Sequence, residues 1–260
     1  MLRQIRELDG SEDEANVYRA ETPHFRAWLD RAAAGSAVAD DEPSLDGFSR
    51  STPLGVVFRR KPAFVASSSI ALGRMFHREA GSVAAGVVSA AAVAASCFGQ
   101  SGRDLITGVA ESVIPVMAAT GTDLTGTDRL STLEVELQSA IENFGVTDGH
   151  AALESLGGDP TDPLQMALTG LLLAAPMSEL YHGPIEQAVR VGGTPLGAGV
   201  GAIVGARIGI RVWPWAFAND TRFAELGRRL VRGPAEVRDL PIPYAVEQHL
   251  MTGDVPGYHQ

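Results

Sequence analysis

The sequence predicts an all-α protein, and three observations carry that expectation. Apolar residues recur at helical intervals through most of the chain, no stretch alternates polar and apolar positions as a half-buried strand does, and the apolar content rests on Ala and Gly with few aromatics. With 45% apolar and 20% charged residues over 260 positions, the chain can bury a sizeable core and lies near the upper limit of one compact domain. A disordered or collagen-like chain is excluded on the same grounds. A core built from Ala and Gly requires helices that approach one another closely.

The elements follow from periodicity and breakers. The first fifty residues are polar and acidic, with acidic runs at Asp9–Glu14 and Ala39–Gly47 on either side of a helix expected near His24–Ala34. Beyond Lys61, helices are expected at about 62–75, 79–98, 103–119, 129–144, 163–175, 178–191, 195–211 and 220–232. Pro62 and Pro163 suit first helical turns. Gly99–Gly102, Gly121–Asp123 and Gly157–Pro160 supply the intervening loops. The resulting division is a polar N-terminal segment 1–49, a helical domain 50–232 and a C-terminal extension 233–260, in which PIPY stands at Pro241–Tyr244.

Charge and cysteine content narrow the class. The 21 basic residues against 31 acidic ones leave a net charge of −10, so a nucleic-acid partner is not expected. Cys97 is the one cysteine, which excludes an intramolecular disulfide and any multi-cysteine metal site and fits a reducing compartment. The opening residues are charged throughout, unlike a secretory signal, and a cytoplasmic location is expected. Two stretches, Ala80–Gly102 and Val191–Ala206, carry no charge. The first is long enough to span a bilayer, but its Ala, Gly and Ser content is a weak insertion signal; the second is short and contains Pro195. The expectation is therefore a buried central helix and no membrane partner.

Within the second stretch, Gly193, Gly197, Gly201, Gly205 and Gly209 recur every four residues, a spacing that forms one stripe along a helix. Gly201 and Gly205 are accordingly expected to face a neighbouring helix in the core. Gly197-x-Gly199-x-x-Ala202 with Asp220 downstream meets the letter of a dinucleotide fingerprint, but no strand precedes it. The six histidines are scattered and form no local metal motif. His77 reads as a capping or packing residue at the start of the Ala-rich helix, and Cys97 as an inert buried thiol. The Ala39–Glu42 run reads as a solvated loop that is able to offer hard oxygen ligands to Mg²⁺.

The order of segments resembles the ADP-ribosylglycohydrolase family. Arg50-Ser51-Thr52-Pro53-Leu54-Gly55 is similar to the end of its "GNGALMRIAPLG" block, and FVASSSIALGRMFHREAGSVAAGVVSAAAVAASCF to its helix, "THP" turn and Ala-rich helix. HAALESLGG resembles its "EALEALG" turn, and PLQMALTGLLLAAPMSELYHGPIEQAVRVGG its following helix pair. Gly201–Ala206 with Trp213-Pro214 resembles "GALLGA–G–IP–W". The resemblance covers about 50–232 and implies a single-domain orthogonal helical bundle, with hydrolysis of ADP-ribosyl bonds assisted by two divalent ions.

The departures shape the functional expectation. The family holds its ions with a "TDDT" block near the N-terminus and a "GGDTDT" block before the glycine-rich helix. Here the second reads Gly192-Gly193-Thr194-Pro195-Leu196-Gly197, the first is missing, and "GNGALMR" stands as Ser44-Leu45-Asp46-Gly47-Phe48-Ser49-Arg50. The resulting expectation is a degenerate, N-terminally shortened member without a metal cofactor, a non-catalytic binding or regulatory protein for ADP-ribose or a protein partner. Lens crystallins related to the family set a precedent for use of its bundle without catalysis. The candidate ligand-binding residues are Arg50, Gly192, Gly193 and Thr194, placed at the N-terminal end of the Gly197–Gly209 helix. Two alternatives stand beside it. One is an active Mg²⁺-dependent ADP-ribosyl hydrolase using relocated carboxylates, Asp40 and Asp41 with Glu42 and Asp46; the other is a small integral membrane protein.

Overall fold

The computed structural model describes residues 42–120, 133–176 and 182–209, together with Arg228, Arg229 and Arg232. The chain comprises two compact units, one formed by Met1–Ala39 with Ala216–Gln260 and the other by Asp40–Trp215. Among the described residues of the second unit every regular element is a helix: α1 (Asp46–Arg50), α2 (Thr52–Phe58), α3 (Pro62–Phe76), α4 (Ala80–Ser96), α5 (Gly102–Thr120), α6 (Leu133–Glu142), α7 (Gly149–Ser155), α8 (Pro163–Ala174) and α9 (His182–Ile208).

Helices α3, α4, α5 and α8 lie within two residues of their expected bounds. The expected helix near His24–Ala34 lies outside the described residues, as does 220–232 apart from Arg228, Arg229 and Arg232, which are helical. Three short helices, α1, α2 and α7, occupy stretches read as loop. Their five to seven residues are too few to display a period, and Gly47, Gly55 and Gly149 argue against a helix on propensity alone.

Helix α4 is the centre of the bundle. Its seventeen residues are Ala, Gly, Ser and Val only, and Ala95 alone among them is less than fully buried. Helices α1, α2, α3, α5, α8 and α9 all pack against it. The expected buried central helix is therefore present, and its start is fixed by Glu79. That carboxylate accepts hydrogen bonds from the Gly81 and Ser82 N–H groups at 2.7 and 2.6 Å and from the Ser82 hydroxyl at 2.8 Å. His77 belongs to the preceding helix, where it follows Phe76 in extended conformation, buried, its N–H bonded to the Gly73 carbonyl at 2.8 Å.

Small side chains on α4 matter because its partners approach it backbone to backbone. A Cβ on Gly47 of α1 would lie 2.6 Å from the Ser82 carbonyl oxygen, and one on Gly86 of α4 would lie 2.6 Å from Ser51 Oγ and 3.0 Å from the Gly47 carbonyl oxygen. Phe48 then fills the space these glycines leave. It is fully buried, and its ring lies against Gly170 of α8 and Gly199 of α9, where a Cβ on Gly170 would come within 3.0 Å of it.

The expected glycine stripe on α9 is corrected here. The buried face consists of Leu196, Gly199, Val200, Ile203 and Val204, at helical spacing, and of the glycine stripe only Gly197 is buried beside it among the described residues. Gly201 and Gly205 lie beside that face and are half-exposed. A Cβ on Gly201 would meet only Ile185, at 3.7 Å, among the described residues. The four-residue interval is real, but the aliphatic side chains between the glycines decide which face turns inward. Gly183–Ile208 is long and apolar enough to cross a membrane by length and composition. Within this bundle its aliphatic side packs against α4 and α8.

Substitution separates the two glycine environments. Gly47→Ala is expected to lower stability by about 1–3 kcal/mol, because the methyl meets a backbone carbonyl that cannot move aside. Gly201→Ala is expected to leave stability unchanged or to raise it by up to ~1 kcal/mol through helix propensity. Denaturant midpoints of the two variants provide the comparison, and equal losses would contradict this packing.

Candidate functional site

The glycine pair at the centre of α9 shapes the site. Gly193 has φ 65° and ψ −160°, a conformation open in practice to glycine alone, and it divides α9 into two helical segments. Gly192 is needed for a different reason: a Cβ there would lie 2.5 Å from Met166 Cε and 2.8 Å from Leu196 Cβ. The expected break between 191 and 195 therefore exists, carried by Gly193 rather than Pro195.

Two further segments meet this break. The turn before α8 has positive φ at Gly157 and Gly158 and is closed by Asp159, whose Oδ1 accepts the Thr161 N–H at 2.8 Å and the Thr161 hydroxyl at 2.7 Å. Asp162 caps α8 by accepting the Leu164 N–H at 3.0 Å, with Pro163 in the first turn. On the other side, the lead into α1 is pinned by the Ser44 N–H donating to Ser82 Oγ at 2.9 Å.

Between them lies a cavity of about 410 Å³ lined by Glu42, Pro43, Leu45, Pro160, Thr161, Pro163, Met166, Val191 and Gly192. That volume suits a small molecule. Among the described residues its surface is mostly aliphatic and proline, with Glu42 the one charged side chain and Thr161 the one hydroxyl in the lining.

The sequence-derived candidates divide in this geometry. Gly192 lines the cavity. Gly193 supplies the break, and Thr194 points to solvent on the first turn after it. Arg50 does not line the cavity. It pairs within α1 with Asp46, Nη2 to Oδ2 at 3.6 Å, and its guanidinium lies 5.9 Å from the centre of the Phe76 ring. Asp46 is thereby engaged as well, and Glu42 reaches the cavity lining. Asp40 and Asp41 lie outside the described residues. The cavity residues missed in the sequence, Leu45, Thr161 and Met166, come from three separate segments whose convergence no local pattern announces.

This is an all-α bundle whose cavity opens at a broken, glycine-rich helix. A family model for ADP-ribosylglycohydrolase matches residues 7–239, and the chain belongs to that family. The match extends beyond 50–232 at both ends, into the polar N-terminal segment and the C-terminal extension. A search of curated proteins finds no match.

The family's divalent ions do not suit the residues that stand here. After the glycine pair come a solvent-facing Thr194 hydroxyl, Pro195, and Leu196, which is fully buried among apolar side chains. Thr161 already donates its hydroxyl to Asp159. Among the described residues no group of three or more His, Cys, Asp or Glu side chains gathers. A neutral hydroxyl and a single carboxylate, the donors that the described residues place at this break, are by themselves a poor set for two hard cations.

Two predictions follow from this geometry. Gly193→Ala is expected to cost about 1–3 kcal/mol, because the side chain must occupy a glycine conformation at the break; an unchanged melting temperature would show that the break is not held. Burial also pushes the Cys97 thiol above its ordinary pKa, and the Arg59 charge only partly opposes the shift. Cys97 is therefore protonated at neutral pH, and its alkylation by iodoacetamide is expected to be slower than that of a free thiol. The rate should climb as pH is raised toward and past the ordinary thiol value. A fast, pH-independent reaction at neutral pH would contradict this environment.

Proposed function

We propose that this chain is a non-catalytic member of the ADP-ribosylglycohydrolase family, a cytoplasmic binding or regulatory protein that keeps the family's bundle and a pocket at the α9 break. The observation that carries this reading is the run Gly192-Gly193-Thr194-Pro195-Leu196, in which no side chain offers a carboxylate and the last is consumed by the core. Hydrolysis at the anomeric carbon needs a general base and stabilisation of the ribose oxygens by cations. Thr194 has neither the charge nor the basicity for the first role, and Pro195 lacks even an N–H.

The cavity's aliphatic lining favours contact with an apolar or ring-shaped portion of a ligand, and Arg50 is not placed to grip a diphosphate. ADP-ribose remains the first ligand to test because the family acts on ADP-ribosyl bonds; a protein partner is the other reading. The active alternative draws on one observation, the presence of Glu42 in the lining immediately after Asp40 and Asp41.

The purified chain is expected not to hydrolyse ADP-ribosyl-arginine, ADP-ribosyl-serine or O-acetyl-ADP-ribose above background, with or without Mg²⁺. Calorimetric titration with Mg²⁺, Mn²⁺ and ADP-ribose completes the test. ADP-ribose binding without metal would support a reader-like protein. Activity removed by EDTA, restored by Mg²⁺ and lost in Asp40→Ala or Asp41→Ala would overturn the reading and assign the chemistry to relocated carboxylates.

A further inference from the structure

A second cavity, of about 340 Å³, opens where the C-terminal part of α4 meets α3 and α5. Its floor is apolar, formed by Val65 of α3 and by Ala91 and Ala94 of α4, all buried, and the Phe98 ring stands at its edge, 62% exposed. Among the described residues four polar side chains share the lining, and one of them, Ser112, is engaged within its own helix, its hydroxyl donating to the Gly108 and Val109 carbonyls. Arg59 donates one of its five guanidinium N–H groups, on Nη1, to the Val56 carbonyl at 2.8 Å, which fixes the head group. Glu111 lies in the same lining, exposed, and among the described residues neither Arg59 nor Glu111 takes part in an ion pair. The cavity therefore carries an unpaired cation and an unpaired anion.

The fourth polar group is Gln100. Its terminal amide lies over Gly108 of α5, where a Cβ would meet the amide carbon at 3.2 Å and Nε2 at 3.4 Å, with the oxygen closer still. Gln100 Oε1 is buried there without a hydrogen-bond partner. A glycine inside a helix and an unmatched buried amide oxygen each cost stability. Both coincide at one point of this cavity. Rotation about the broad terminal torsion of the amide turns Oε1 toward the open space.

We propose that this cavity binds a free amino acid with an apolar side chain. The α-carboxylate pairs with the remaining N–H groups of Arg59, the α-ammonium with Glu111 and the Gln100 amide oxygen, and the side chain rests on the Val65–Ala91–Ala94 floor against Phe98. A simple anion would meet the Glu111 carboxylate, and a simple cation would meet Arg59. A zwitterion satisfies both and suits a chain whose net charge of −10 discourages anions generally. The site is distinct from the cavity at the α9 break and does not depend on what that cavity binds.

The test is an NMR titration of the full chain with L-phenylalanine and L-leucine, set against phenylalaninamide, which lacks the carboxylate, and N-acetylphenylalanine, which lacks the ammonium. Saturable shifts centred on α4 and α5 are expected for the free amino acids, with affinity falling about tenfold or more for each capped analogue and for Arg59→Gln and Glu111→Gln. Gly108→Ala serves as a variant that favours the helix while displacing the Gln100 amide. It is expected to weaken binding without lowering the melting temperature. Absence of saturable shifts with both amino acids would overturn the proposal. Equal binding of the capped analogues, or undiminished binding by the charge variants, would also overturn it by reducing the site to an apolar hole.

Discussion

Burial of α4 on every side is the constraint on which the rest of the structure depends. A helix of Ala, Gly, Ser and Val has little side-chain area to hide, so its stabilisation comes from many close atomic contacts rather than from a few large residues. Close contact requires that the partners also present small residues or bare backbone. Gly47 and Gly55 on the two short helices before α3 answer that demand, and each would lose its seat if it carried a Cβ. The large side chains then collect one layer out, where Phe48, Leu168, Leu171, Leu172 and Ile203 fill what the thin central helix leaves open.

A charge-free helix buried along its length must also satisfy its terminal N–H groups within the protein. Glu79 does so, and the Ser82 hydroxyl that donates to it also accepts the Ser44 N–H. One small polar cluster therefore caps α4 and ties down the lead into α1, which forms a wall of the first cavity through Leu45. At the other end of α4, Ala91, Ala94 and Ala95 border the second cavity. Methyl groups leave unfilled space where neighbouring helices diverge. The second cavity is a consequence of a core helix without bulk.

The parts of the fold legible in the sequence were those set by composition over long windows. A charge-free run bounded by Glu79 and Gly99 announces a buried helix, and Gly157-Gly158-Asp159-Pro160 announces a turn, because each signal is local and redundant. The short helices were hidden for the opposite reason, since tertiary packing against α4 supplies the stability their propensity lacks. That omission carried into the site. Once 46–50 is a helix, Asp46 and Arg50 stand one turn apart and form an ion pair. Read as a loop, the same stretch leaves Arg50 free to reach for a ligand. The inward face of α9 is hidden in a similar way, because the glycines and the interleaved Leu196, Val200 and Val204 recur at the same four-residue interval.

Family membership and family chemistry rest on different atoms here. The family match spans 7–239, and the core of the described bundle is built from Ala, Gly and aliphatic positions. Metal-assisted hydrolysis depends instead on carboxylates that converge near the start of the glycine-rich helix, and those positions can change without loosening the bundle. Leu196 shows the separation most clearly. Its side chain is fully buried, in reach of where a Cβ on Gly170 or Gly192 would stand, so it now serves the core. A carboxylate at 196 would be buried without a partner among apolar groups and held neutral, unable to ligate a cation. The residue that closes the core at the α9 break is thus one that offers the break no oxygen ligand.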